Sequence, residues 1–180
     1  WVIDKDGCQS TSEITITNNL PTAPNAGYDQ GICGDSTRLF ADPPAIGTGV
    51  WSLVSGDASI LNSQSNQTRV VNIKFGDNTF RWKVTNKNCT IYDDVIITSN
   101  YAYANAGSDR DVNTSTIQLV GNLPAKGTGT WSLSAGQATI QNPNQFDTWV
   151  SNLGPGANIF TWSINNNGCI ASDELTVNYI

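Results

Sequence analysis

Four cysteines, Cys8, Cys33, Cys89 and Cys169, are the residues of this 180-residue chain best equipped for covalent chemistry. Cys33 and Cys89 lie in one segment, the first near its beginning and the second at its closing hairpin. A disulfide between them would close a loop of nearly that whole segment, worth about 4–5 kcal/mol in the chain-entropy picture. Four cysteines allow three pairings; the favoured one is Cys33–Cys89, with Cys8 and Cys169 unpaired within this chain. The alternative is four small buried thiols of a reducing compartment. A thiol nucleophile needs an activating base, and the chain has no His. The same absence removes Ser-His-Asp devices and His-based zinc sites. No catalytic residue is expected, and the chain is not read as an enzyme.

Carboxylates recur: Asp93-Asp94 matches Asp173-Glu174, and Asp29 matches Asp109. Such oxygens could bind calcium, but no Asp-x-Asp-x-Asp-Gly loop is present and Arg110 interrupts Asp109 and Asp111. Solvated turns with local backbone hydrogen bonds are the better reading, so no metal or cofactor is expected. Gly47-Thr48-Gly49 and Gly127-Thr128-Gly129 precede a Trp-bearing segment rather than a helix, which removes the phosphate-loop reading. Phe146 and Trp149 stand where the other copy has Asn66 and Arg69. If Val150 points inward, Trp149 points outward, and the two aromatics form a candidate contact patch for a sugar ring or a protein. Asn66, Asn88 and Asn113 begin N-x-[ST] triplets, a pattern of low specificity. The net charge of −6 argues against nucleic acid. No apolar run is long enough to insert in a membrane.

The elements that position these residues announce themselves as repeats. Phe80–Cys89 reads FRWKVTNKNC and Phe160–Cys169 reads FTWSINNNGC, while WVIDKDGC opens the chain. Phe80, Trp82 and Val84 alternate with polar residues, the period of a strand with one buried face. Asn25-Ala26-Gly27, Leu39, Gly47-Thr48-Gly49, Trp51-Ser52-Leu53 and Ile60 all return 80 residues later. The chain therefore divides into a closing hairpin of a preceding copy (1–20) and two repeats (21–100 and 101–180). With its start at Trp1 and no Met, it is expected to be part of something longer.

In the hairpin, Trp1–Asp4 is expected to pair with Glu13–Thr17. The first repeat is expected to hold strands at Thr37–Ala41, Val50–Ser55, Ala58–Asn62, Thr68–Asn72, Asn78–Thr85 and Asp94–Ser99, after an irregular edge near Tyr28–Cys33. Short strands with turn signals between them, and no helical period, predict an all-β fold of tandem immunoglobulin-like sandwiches. Trp1, Trp51, Phe80, Trp82, Trp131, Phe160 and Trp162 are the expected core. Pro21 and Pro24 stiffen the first linker, and Tyr101 and Tyr103 of the second are expected to cover the seam between repeats. The repeats should then stand as beads in a row.

The order NAG-x-D, ICG, L-x-A, GTG-x-WS, N-x-FRW-x-VTN, C and DD-V-x-IT resembles the PKD-like, immunoglobulin-like repeats of giant Bacteroidetes cell-surface adhesins, the SprB-like gliding-motility adhesins. The resemblance spans essentially the whole chain. It implies a non-catalytic stalk segment that presents an adhesive tip, exported by the type IX system and held at the outer membrane. The implied partners are neighbouring repeats, the secretion and gliding machinery and a surface polysaccharide. Asp35-Ser36-Thr37 is similar to the short O-glycosylation sequon of Bacteroidetes secreted proteins, making Ser36 a candidate acceptor. Two departures stand out: Asn113 replaces the ICG cysteine in the second repeat, and the Trp-Asp-Phe-Gly-Asp-Gly core of ordinary PKD domains is absent. The competing reading is a spacer or carbohydrate-binding accessory module of a large secreted enzyme.

Overall fold

The alternation through Phe80, Trp82 and Val84 forms one side of a sandwich: all three are at most 1% exposed, while Lys83 faces solvent. The computed structural model describes all 180 residues and contains strands but no helix. A separate hairpin comes first, β1 (Val2–Lys5) with β2 (Cys8–Thr11). The first sandwich has β3 (Gln30–Ile32), β4 (Thr37–Phe40), β5 (Thr48–Ser55), β6 (Ser59–Ile60), β7 (Gln67–Val71), β8 (Gly76–Asn86) and β9 (Cys89–Ser99). The second repeats it with β10 (Arg110–Val112), β11 (Ile117–Val120), β12 (Thr128–Ala135), β13 (Thr139–Ile140), β14 (Asp147–Ser151), β15 (Gly156–Asn166) and β16 (Cys169–Tyr179).

Each sandwich packs a four-stranded sheet on a three-stranded one, in the orders β3-β9-β8-β5 with β4-β7-β6, and β10-β16-β15-β12 with β11-β14-β13. This is a tandem of immunoglobulin-like β-sandwiches. The edge strand gives each sandwich its direction. β3 runs parallel to β9, with Gln30 opposite Ile97 and Ile32 opposite Ser99, and β10 runs parallel to β16 in the same way. The tight turn at Asn86–Cys89 marks the near pole of the first sandwich, and Ser99 marks its far pole. The next repeat begins at that far pole.

A Trp pair sits at the centre of each core. Trp51 lies opposite Trp82 with ring centroids 5.1 Å apart, and Trp131 lies opposite Trp162 at 5.1 Å. The outer Trp of each pair is anchored, Trp51 Nε1 donating to the Asn66 carbonyl at 3.3 Å and Trp131 Nε1 to the Phe146 carbonyl at 3.2 Å. Trp82 and Trp162 bury their indole N–H with no acceptor. Leaving it unpaired costs about 1–3 kcal/mol, less than the about 3–5 kcal/mol that a buried Trp contributes by filling the core. Gly49 and Gly129, one strand over, leave the space these rings occupy; a Cβ at either would run into the six-membered ring. The GTG triplets thus belong to the Trp pair rather than to a ligand.

Two expectations about the leading hairpin are corrected. β1 pairs with β2 in the register Val2–Thr11 to Lys5–Cys8, and Glu13–Thr17 forms no strand. The turn decides this: Asp6 and Gly7 both take positive φ (55° and 81°), the two-residue geometry that starts the partner strand at once. Trp1 is 84% exposed rather than core, because the hairpin has no second sheet against it. Ile3, Ile14 and Ile16 are exposed with it.

Replacing Gly49 by Ala is expected to destabilise the first sandwich by about 1–3 kcal/mol through overpacking. Gly34, whose surroundings are open, should accept Ala with little effect. Urea unfolding followed by Trp fluorescence compares the two.

Candidate functional site at the seam between repeats

The cysteines define the site, and they correct the expected pairing. Cys33 is bonded to Cys169 of the other repeat, with Cα atoms 5.2 Å apart, while Cys8 and Cys89 are free. The expected Cys33–Cys89 bond is sterically impossible. Cys33 follows Ile32 at the far pole, where Asn100 N–H donates to the Ile32 carbonyl at 2.7 Å and Ser99 Oγ donates to the Gly34 carbonyl at 3.0 Å. Cys89 begins β9, and eleven residues of strand separate it from Ser99. At about 3.3 Å per residue, the two sulfurs lie roughly 30 Å apart, whereas bonded cysteines need Cα atoms within about 7 Å. Cys169 occupies the near-pole turn of the second repeat, opposite Asn166, and that turn abuts the far pole of the first. A cysteine at 169 with no counterpart at 113 was the signal in the sequence for a bond crossing between repeats.

Polar contacts lie beside the bond. Asn167 Nδ2 donates to Asn100 Oδ1 at 3.2 Å. The same kind of contact joins the first repeat to the chain before it, Asn86 Nδ2 donating to the Asn19 carbonyl at 3.2 Å. Tyr101 and Tyr103 do not close the seam as expected; both are more than half exposed. The linker alternates, so Ala102 and Ala104 pack inward against the second core and the two phenols line an open groove of about 390 Å³ with Phe75, Leu123 and Lys126. Cys169 is 5% exposed, and its counterpart Cys89 is half-buried.

The repeated carboxylates have a structural use that spacing did not show. Asp93 Oδ2 accepts the Ala26 N–H and Asp173 Oδ2 accepts the Ala106 N–H, each at 2.8 Å. Asp29 Oδ1 accepts the Ile96 N–H and Asp109 Oδ1 the Thr176 N–H, again at 2.8 Å. These bonds span 67 residues rather than a local turn. They clamp residues 25–33 and 105–112 alongside β9 and β16.

Asn78 and Asn158 were missed altogether. Each is 1% exposed on the inward register of its strand. Asn78 Oδ1 accepts the Asp57 N–H at 2.9 Å, and Nδ2 donates to the Lys74 and Gly76 carbonyls at 2.9 Å. A polar residue two places before Phe80 and Phe160, on the buried face in both copies, was the available signal.

Trp51, Phe80, Trp82, Trp131, Phe160 and Trp162 are buried. Phe146 and Trp149 do not form a patch. Phe146 packs against the second core, whereas Trp149 is 52% exposed on the outward face of β14, opposite Gln118. Phe146 sits in the bend just before β14, so the strand alternation that turns Trp149 outward does not govern it. Ser36 Oγ accepts from Arg69 Nη2 at 3.3 Å beside the far pole. Asn113 follows Val112 at the far pole of the second repeat, where Cys33 stands in the first. Outside the seam, Arg81 grips Asp94 through two hydrogen bonds of 2.7 and 2.8 Å and stacks 3.5 Å above the Tyr92 ring. The hydrogen bonds from Arg81 hold the Asp94 carboxyl below its ordinary value.

No family model matches the chain, and no curated protein matches it. Among solved structures it is similar to Drosophila OTK extracellular domains 3–5 (9% identity, 88% of this chain and 59% of that one, TM-score 0.43). It is also similar to Sidekick-1 immunoglobulin domains 1–4 (15%, 92% and 51%, TM-score 0.48) and to titin I67–I69 (10%, 90% and 64%, TM-score 0.44). The chain thus spans between half and two thirds of these structures. The sandwich assignment stands on its own sheet order and strand register.

Non-reducing peptide mapping of the oxidised chain is expected to recover a Cys33–Cys169 peptide pair, with thiol labelling confined to Cys8 and Cys89. Asp94 has a lowered folded-state pKa, so its contribution to stability is present above the ordinary aspartate range and is lost as pH falls through the lowered value. An NMR titration should place Asp94 below the ordinary aspartate range, and Arg81→Ala should return it to that range.

Proposed function

We propose that this chain is a segment of the non-catalytic stalk of a large cell-surface adhesin or filament, of the SprB-like kind its motifs resemble. The Cys33–Cys169 bond carries the reading. It ties the far pole of one sandwich to the near pole of the next, so the repeats are joined end to end by two covalent connections, the backbone and the disulfide. A string built this way gains reach along its axis. Strands of eleven residues set about 35 Å per repeat before loops are added. Stable disulfides belong to oxidising surroundings, which favours a place outside the cell. On this reading the neighbouring repeats are the immediate partners, export runs through the type IX system, and adhesion to a surface polysaccharide or support belongs to a tip beyond these residues. Gliding motility and outer-membrane anchoring are parts of the same proposal.

Labelling live cells of the source organism with a Fab against this segment tests the proposal. Long surface filaments are the expected result. Label found only on soluble secreted protein would overturn it in favour of a spacer or carbohydrate-binding module attached to an enzyme. In that case, glycan binding abolished by Trp149→Ala would identify the binding module.

A further inference from the structure

We propose that the Cys33–Cys169 disulfide converts the two repeats into a tension-locked unit, in which the covalent path between the chain ends excludes residues 34–168 and so keeps both sandwiches from unravelling under load. The inference deepens the stalk reading and rests on it for its biological purpose. The physical claim concerns only this chain.

The direction of each segment carries the argument. Residues 25–33 run from the middle of the first sandwich to its far pole, parallel to β9 and clamped to it by Asp93 and Asp29. At the far pole the chain reaches Cys33, and the disulfide crosses the seam to Cys169 at the near pole of the second sandwich. From Cys169 the chain enters β16 and runs straight through eleven strand residues to Tyr179, at the far pole of that sandwich. Gln30–Ile32 and Cys169–Tyr179 are the extended parts of one covalent path that passes through the disulfide, while Pro24–Asp29 before them is irregular, turned at Gly27 with φ 88°.

A strand already extended at about 3.3 Å per residue has almost no length left to give. Tension applied at the two ends of the chain travels along this path. Everything between the two cysteines, a separation of 136 residues, hangs beside it as a closed loop. That loop contains β4–β9 and β10–β15, including both Trp pairs. Without the disulfide, force entering the first sandwich is held only by the ladder and aspartate hydrogen bonds between residues 25–33 and β9, and once these shear, the covalent path runs through β4–β9 and the linker, so each sandwich can open and lengthen the chain.

Single-molecule stretching of the full chain, held at its two ends, tests this. Oxidised protein is expected to yield only the short extension of the β1–β2 hairpin and the irregular residues after it. Dithiothreitol reduces the bond to two thiols and is itself oxidised to its cyclic disulfide. The reduced protein should then extend by roughly an additional 450 Å, in two unfolding steps, as the 136-residue loop is released. Cys33→Ser, a change at an exposed site, should reproduce the reduced trace without dithiothreitol. Circular dichroism checks that both sandwiches remain folded at rest. Oxidised chains that release the full loop under load would overturn the proposal, as would reduced chains that extend no further than oxidised ones. Neither result bears on where the protein resides, so failure here and failure of the surface labelling remain separable.

Discussion

A strand of eleven residues cannot bring its own two ends together, and that stiffness governs how this chain is assembled. The long hairpins β8–β9 and β15–β16 run the full height of their sandwiches. The turn of each is committed to one pole, and the departing chain to the other. Because β3 and β10 follow β9 and β16 in parallel, whatever comes after them is delivered to the far pole. Cysteines at the turn and cysteines after the edge strand are thereby kept apart within a repeat and brought together across a seam.

Polar groups maintain this arrangement from inside and from the edge. The aspartate clamps hold the edge segment against the long hairpin where only three residues of β3 or β10 make ladder bonds. Charge-assisted hydrogen bonds of this kind are about twice as strong as neutral ones. Asn78 and Asn158 work at the far-pole ends of the interior strands β8 and β15, satisfying backbone groups of the turns that these strands follow. With these turns held, the Trp pairs meet in register and the glycines opposite them leave room for the rings. The unpaired indole N–H is the tolerated exception.

The two repeats share this frame and differ at its surface. Arg81, Asp94 and Tyr92 form a charged and aromatic cluster on the first, where the second has Thr161, Glu174 and Ser172. Asn113 leaves the far pole of the second repeat without the thiol that staples the first. Cys89 sits at a near pole, in the position through which Cys169 is bonded. Stapling is thus a property of individual seams, decided by one residue on each side, while the sandwiches themselves are nearly interchangeable.

The sequence by itself determined the repeat, its 80-residue period, the all-β class and the buried aromatics, since alternation and turn residues are local and were written in both copies. It also carried the inward position of Val150 and the outward one of Trp149. It did not determine direction in space. Cys33 and Cys89 share a repeat and look like partners, and only the parallel course of β3 beside β9 shows that the height of the sandwich separates them. Trp1 has the pattern of a core residue, but burial needs a second sheet, and the hairpin alone does not supply one. The carboxylates looked like local turn-makers because their acceptor role is fulfilled 67 residues away. Local pattern is set by neighbours a few residues off; pairing, burial and clamping depend on which distant segments the fold lays side by side.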